Sequence, residues 1–397
     1  MLAKNLPLDG ARHPAATEAP TPPPKNIVLC LDGTGNRIRA KGNTNVIRLF
    51  RALENTTGRQ IVYYDPGVGT FSSAGSWTRV GRWWSRMLGL AFGDGIKTNL
   101  AEAYTFLMNH WEPGDRIYLF GFSRGAYTAR ALAGMLHRVG IPRPSSENLV
   151  QYAIAAYARN RKWTEKDAAE ARAFATTVCR ADHRSRRVDH HNPFSIQVHY
   201  LGVWDTVSAP GIFRRSQRFE GTRRLSNVRA GRHAVSIDER RAPYRVLPVD
   251  NRKIEEVWFA GVHSDVGGGL APHQLADISL MWMLDGAQRH GLQLRDDRRL
   301  RKLPTLTPRD ALGRVHGNGP LWALAGYRKR EVAPDSRVHD SVRIRREVEP
   351  DYGKNLCSDP VWADRDWLKR RVSGPNGGSS IRTGRAIWGV SKRRTPA

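Results

Sequence analysis

The sequence predicts an α/β fold with a mostly parallel central sheet and helices on both faces. Three observations carry that reading. Short apolar runs of strand length alternate with longer helix-like segments, the pattern of βαβ units. Those runs end in polar or glycine-rich loops, which a parallel sheet gathers at one edge, where such folds bind their ligands. One run passes directly into a helix through Gly121-x-Ser123-x-Gly125, the pattern of a sharp turn that lifts a serine above the sheet.

Asn26 to Leu31 (NIVLCL) is the first strand, and it ends in Asp32-Gly33-Thr34-Gly35-Asn36. Thr44 to Leu53 suits a helix with Asn43 or Thr44 as its N-cap. Gln60 to Tyr64 (QIVYY) is the second strand, closed by Asp65-Pro66-Gly67. Ser72 to Gly95 breaks the rhythm, with Trp77, Trp83 and Trp84 interleaved with Arg79, Arg82 and Arg86. A basic, aromatic stretch of this kind suits a peripheral membrane contact or an acyl-binding groove, or simply a loop packed over the sheet. Ile96 to Trp111 carries apolar residues at helical spacing. Ile117 to Phe120 is a buried strand launched by Pro113-Gly114, and Ala126 to Val139 is the helix that follows the serine.

Ser145 to Cys179 is alanine-rich and mostly helical, an insertion that could cap the site. Arg180 to Pro193 reads as loop, and its Asp189-His190-His191 cluster could bind a metal only with ligands from elsewhere, so a solvated loop is the simpler reading. Ile196 to Trp204 (IQVHYLGVW) is a strand ending at Asp205-Thr206-Val207. Glu256 to Val262 is another, ending at His263-Ser264-Asp265 and followed by Gly267-Gly268-Gly269. Leu275 to Gln288 is helical, and from about Asp296 onward periodicity is weak. The expected organisation is a Pro-rich disordered leader over 1–25, a catalytic domain over 26–358 with a helical insertion or cap at 145–195, and a basic tail over 359–397.

Composition narrows the class of function. No apolar run approaches bilayer-spanning length, and the N-terminus lacks the apolar centre of a secretory signal. The expectation is a cytoplasmic protein by default, with signal-less export left open. Cys30, Cys179 and Cys357 are too few and too scattered for a disulfide framework or a zinc site. A formal net charge of +27 across 397 residues favours anionic partners, or reflects a generally basic surface. Zinc-finger spacing, basic heptads and RNP-type strands are all missing, which argues against nucleic acid.

Three strand ends then offer Ser123, Asp205 and His263, the Ser–Asp–His chain order of an α/β-hydrolase. Neutral His263 would take the Ser123 proton and deliver it to the leaving group. A carboxylate would hold the imidazole tautomer; Asp205 is best placed, and Asp65, Asp32 or Asp265 could serve instead. Gly121 and Gly125 give the turn room. The Arg124 backbone N–H, directly after the serine, is one expected oxyanion donor, with a second from Gly33 or Thr34. Asp32 and Asp265 could also brace the site loops. The Arg124 side chain could hold a substrate phosphate or pair with a carboxylate. Neither a metal nor an organic cofactor is required by this chemistry.

The pieces LDGTGN (31–36), GFSRGA (121–126), GVWDTV (202–207) and HSDVGGG (263–269) together resemble the bacterial type VI secretion phospholipase-effector hydrolases. They occur in that family's order and span Asn26 to about Gly269, with a weaker likeness at His339-Asp340-Ser341-Val342. The resemblance implies a Ser–Asp–His lipase cleaving phospholipid acyl esters, with Ser123, Asp205 and His263 as the triad. Two other readings stand beside it. Asp32 could be the nucleophile of a phosphate-ester hydrolase, although the second acidic residue expected two positions away is missing. The charge alone would also fit a non-catalytic polyanion-binding module.

Overall fold

Eight strands, every neighbouring pair parallel, form one sheet in the computed structural model. The structure describes residues 23–33, 42–56, 58–67, 92–159, 163–182, 192–207, 218–219, 221–319, 322, 326–354, 356–357 and 359–369. Most of the Pro-rich leader, Thr34 to Asn36, the stretch with Trp77, Trp83 and Trp84, the Asp189-His190-His191 cluster and the tail beyond 369 lie outside the described residues.

The strands are β1 (Asn26–Leu31), β2 (Gln60–Asp65), β3 (Arg116–Phe122), β4 (Val198–Trp204), β5 (Gly231–Ser236), β6 (Ile254–Phe259), β7 (Arg337–His339) and β8 (Val361–Ala363). Their spatial order is β8-β7-β6-β5-β4-β3-β1-β2. Helices are α1 (Asn45–Ala52), α2 (Phe92–His110), α3 (Arg124–Arg138), α4 (Val150–Tyr157), α5 (Glu165–Val178), α6 (His263–Gly267), α7 (Gln274–Arg289) and α8 (Asp340–Val348).

Side chains alternate across a strand, and β1 shows what that does here. Ile27, Leu29 and Leu31 enter the core beneath α2 and α3, among Leu100, Leu107 and Leu132. Val28 and Cys30 enter the opposite core, among Val46, Leu49, Ile278 and Trp282 of α1 and α7. Both faces are therefore covered, as a parallel sheet requires. The α/β class and the mostly parallel sheet expected from the sequence are what the chain adopts.

Local signals placed several helix ends. Thr44 is the N-cap of α1, its hydroxyl accepting from the Ile47 N–H. The helical insertion resolves into α4 and α5. Val150, Ala153, Ile154 and Tyr157 of α4 are buried in the same core as α2 and α3. A fully buried aliphatic side chain contributes about 1.5–3 kcal/mol, so α4 is part of the main wall.

Strand β5 and the short β7 and β8 were not legible from the sequence. In β5 three of six residues, Arg232, His233 and Ser236, are charged or polar yet buried. Arg232 pairs with Glu255 and Asp285 and lies over the Trp282 ring, and His233 pairs with Glu256. The core tolerates them because each is partnered. One boundary also moved: β6 ends at Phe259, and His263 opens the one-turn helix α6.

Candidate active site

The site forms at the C-terminal ends of β3, β4, β5 and β6. Ser123 sits between β3 and α3 with φ 59° and ψ −118°, a conformation that costs a non-glycine residue about 1–3 kcal/mol. The surroundings impose it. A Cβ on Gly125 would lie 2.1 Å from the Leu31 carbonyl oxygen, and one on Gly121 would lie 2.5 Å from the Gly125 carbonyl oxygen. The turn is thus pressed onto the end of β1 with no space for side chains on either flank.

The Ser123 N–H donates to the Trp204 carbonyl at 3.0 Å, extending the β3–β4 ladder by one residue. That places the serine beside Asp205, which follows Trp204 with φ 39° and is completely buried. Ser123 itself is half-buried.

His263 arrives from the β6 side. Its Nδ1 stands 2.5 Å from Asp205 Oδ2. With the Nδ1–H donating a hydrogen bond to the carboxylate, the lone pair falls on Nε2. The ring is held between Phe122, at 4.5 Å between centroids, and Tyr244, at 4.9 Å and edge-on. The His263 N–H donates to Glu239 Oε2 at 3.2 Å, and the Glu239 carboxylate is in turn gripped by Arg241.

Electrostatics follow the same geometry. Burial acts first on His263 and pushes its pKa below the usual 6.5, against the upward pull of Asp205. Burial alone would raise the Asp205 carboxyl; the Arg330 charge and the His263 hydrogen bond outweigh it and hold the group far below the usual carboxylate range. Asp205 therefore stays ionised. Arg124, the first residue of α3, has its guanidinium pulled down to about 10 by burial, with Tyr244 opposing.

The other acidic candidates have different partners. Asp32 accepts from the Gly33 N–H at 2.7 Å, the Thr44 hydroxyl at 2.6 Å and the Tyr64 hydroxyl at 3.2 Å. Asp65 accepts from the Gly67 N–H and the Asn99 amide. Asp265 caps α6 through the Val262 N–H, at 3.0 Å, and binds both the N–H and the ring of His316. Asp32 and Asp265 thus tie loops at the rim, and Asp205 is the acid on His263. The Gly33 N–H, an expected oxyanion donor, is aimed at the Asp32 carboxylate. Thr34 lies outside the described residues. Arg124 opens α3, where the helix dipole favours negative charge.

Arg330, Glu239 and Tyr244 escaped the sequence reading. Arg330 stands in Tyr-Arg-Lys-Arg-Glu (327–331), one arginine among many, and only three-dimensional contact separates it from its neighbours.

Residues 25–286 match the family described as T6SS, Phospholipase effector Tle1-like, catalytic domain. The chain belongs to this family. The Tle1-like match contains Ser123, Asp205 and His263 and ends before His316 and Arg330. It makes the chain a member of a phospholipase-type hydrolase family with the α/β fold described above. The uncharacterized protein YEL023C of Saccharomyces cerevisiae is 36% identical over 228 residues, covering 56% of this chain and 32% of that protein. A crystal structure of an uncharacterized protein from Pseudomonas aeruginosa aligns at 18% identity and TM-score 0.40, covering 77% of this chain and 49% of that one. The Tle1 effector bound to the VgrG spike of the type 6 secretion system aligns at 19% identity and TM-score 0.37, covering 66% and 56%. The chain thus spans about a third of the length of the yeast relative and about half of either solved chain. Among the described residues no helix is long and apolar enough to cross a membrane, and no group of three or more His, Cys, Asp or Glu could hold a metal ion.

Proposed function

We propose that the chain is a serine hydrolase that cleaves carboxylic esters of lipids, phospholipids foremost, through Ser123, His263 and Asp205. The observation that carries the reading is the 2.5 Å contact between His263 Nδ1 and the buried Asp205 carboxylate, beside a serine on a strained turn. Membership of the Tle1-like family supports the ester and lipid part of it.

In this mechanism Ser123 Oγ attacks the ester carbonyl while its proton passes to His263 Nε2. Negative charge developing on the carbonyl oxygen meets the Arg124 N–H at the start of α3. The alcohol leaves with the proton from His263, and the acyl group remains on Ser123. Water then attacks the acyl carbon as His263 takes one of its protons, and that proton returns to Ser123 Oγ as the acid is released. Asp205 holds the imidazole and stabilises its charged form throughout. The positive surface charge would draw the enzyme to anionic bilayers, with Trp77, Trp83 and Trp84 as peripheral anchors.

The test is intact mass after treatment with a fluorophosphonate. Wild type should gain one adduct, and Ser123→Ala and His263→Ala should gain none. A folded wild type that takes no adduct would sink the proposal and shift weight to the polyanion-binding reading.

A further inference from the structure

The Asp205 carboxylate carries a second partner besides His263. Arg330 Nη1 lies 2.5 Å from Asp205 Oδ1, and Nη2 lies 3.1 Å from Oδ2. The Ser236 N–H, at 2.9 Å, also donates to Oδ1. The guanidinium is itself fixed, Nη1 donating to the Ser236 carbonyl and hydroxyl and Nη2 to the Tyr244 carbonyl. Carboxylate and guanidinium are both buried, Asp205 at 0% and Arg330 at 8% exposure, so water screens neither. A bidentate, desolvated pair of this kind sets the orientation of the carboxylate plane, since two parallel bonds leave it no rotation.

We infer that Arg330 is a positioning residue of the hydrolytic site, clamping the carboxylate that holds His263 and offsetting its charge. The inference rests on the serine-hydrolase reading and goes beyond the family match, which ends at residue 286.

The backbone around Arg330 is laid against the loop that touches His263. The Ala242 N–H donates to the Gly326 carbonyl and the Arg328 N–H to the Arg240 carbonyl, while Arg241 and Tyr327 form a bridge pair. That loop contains Glu239, which accepts from the His263 N–H. The segment therefore supports the histidine twice, once through Asp205 and once through the loop.

Two consequences separate this role from plain stability. A buried carboxylate with no counter-charge is costly to desolvate, and Arg330 keeps Asp205 ionised. The same positive charge weakens the pull of Asp205 on a proton at His263, leaving the imidazole neutral to lower pH. Other titratable groups act on or touch His263 as well: Glu239 and Arg241 from the 237–246 loop, Tyr244 edge-on from the same loop, and Arg124 beyond Tyr244. All of them remain when Arg330 alone is changed.

The experiment measures the rate of fluorophosphonate labelling from pH 4.5 to 9 for wild type, Arg330→Gln and Arg330→Lys, with Ser123→Ala as blank and thermal melts as the fold check. Removing the charge in Arg330→Gln should move the acid limb up by about one pH unit and lower the plateau about ten- to hundredfold through misplacement of His263. Arg330→Lys keeps the charge and loses the fork, so its limb should stay in place while its plateau falls several-fold. A folded Arg330→Gln with the wild-type profile overturns the inference. Should that variant fail to fold, Arg330→Lys decides, and a wild-type plateau there overturns it equally. No labelling of folded wild type removes the hydrolase reading itself, a different result from labelling indifferent to Arg330.

Discussion

A Cβ on Gly267 would stand 2.0 Å from the Phe122 ring, so the glycine run after His263 is packed directly against the residue before Ser123. Phe122 also lies against the His263 ring. Two sequence motifs separated by more than a hundred residues are thereby one mechanical piece, with the aromatic ring as the joint between Ser123 and His263.

This contact makes Gly267→Ala informative. The added methyl must displace Phe122, and overpacking of this kind costs about 1–3 kcal/mol. The variant should still fold, with a lowered melting temperature, while fluorophosphonate labelling falls at least about tenfold. Labelling at the wild-type rate would mean that Phe122 does not set the Ser123–His263 geometry.

Asp205→Asn should separate chemistry from stability. An amide in place of the carboxylate favours the wrong imidazole tautomer, and the expected loss of rate is about 10⁴-fold. The same change leaves Arg330 buried without its counter-charge, a destabilisation of about 3–5 kcal/mol. Adding Arg330→Gln to Asp205→Asn should recover much of the stability and none of the rate, which denaturant titration and labelling would read independently. Stabilities that simply add would show that the pair is not coupled.

The acid limb of activity should lie below pH 6.5, since burial depresses the His263 pKa and the working base is the neutral ring. Stability should follow the same sign. The unfolded chain takes up the His263 proton first, so stability falls as pH drops from 6.5 toward the folded value. Asp205 adds to this at lower pH, because its depressed carboxyl contributes stability that is full above about pH 4 and lost as pH falls further. Labelling rates and denaturant midpoints measured at pH 5.5 and 7.5 would check the histidine, and midpoints carried below about pH 4 would check the carboxylate. An acid limb above 6.5 would contradict the burial argument.

Much of this site is readable along the chain, and the unreadable parts share a physical cause. The apolar run of β1, the glycines around Ser123 and the short motifs that carry Asp205 and His263 are local signals, visible within a few residues. Strand β5 hid because Arg232 and His233 are buried in pairs with Glu255, Asp285 and Glu256, contacts that a hydrophobic pattern cannot register. Strands β7 and β8 are three residues each, too short for any period to show. Arg330 has no local signature at all. Its role comes from the Gly326–Arg330 backbone lying against the loop beside His263, a long-range contact in an arginine-rich stretch. The Gly33 N–H donates to the adjacent Asp32 side chain at 2.7 Å, a contact that its place in a glycine loop does not disclose.

The charge of the chain yields a prediction about the substrate's surroundings. With a formal net charge of +27, the enzyme should concentrate at anionic bilayers by long-range attraction, and that attraction is screened by salt. At 0.15 M ionic strength the screening length is about 8 Å, and at 1 M about 3 Å. Hydrolysis of phospholipid in vesicles should therefore rise with the fraction of anionic lipid, and the advantage over neutral vesicles should vanish near 1 M salt. A soluble short-chain ester supplies the control, because it reaches Ser123 without a surface; its turnover should change little with salt. Equal turnover on anionic and neutral vesicles at low salt would sever the charge from catalysis. A parallel loss with the soluble ester would place the salt effect in the site itself, at buried pairs such as Asp205 and Arg330, and not at the bilayer.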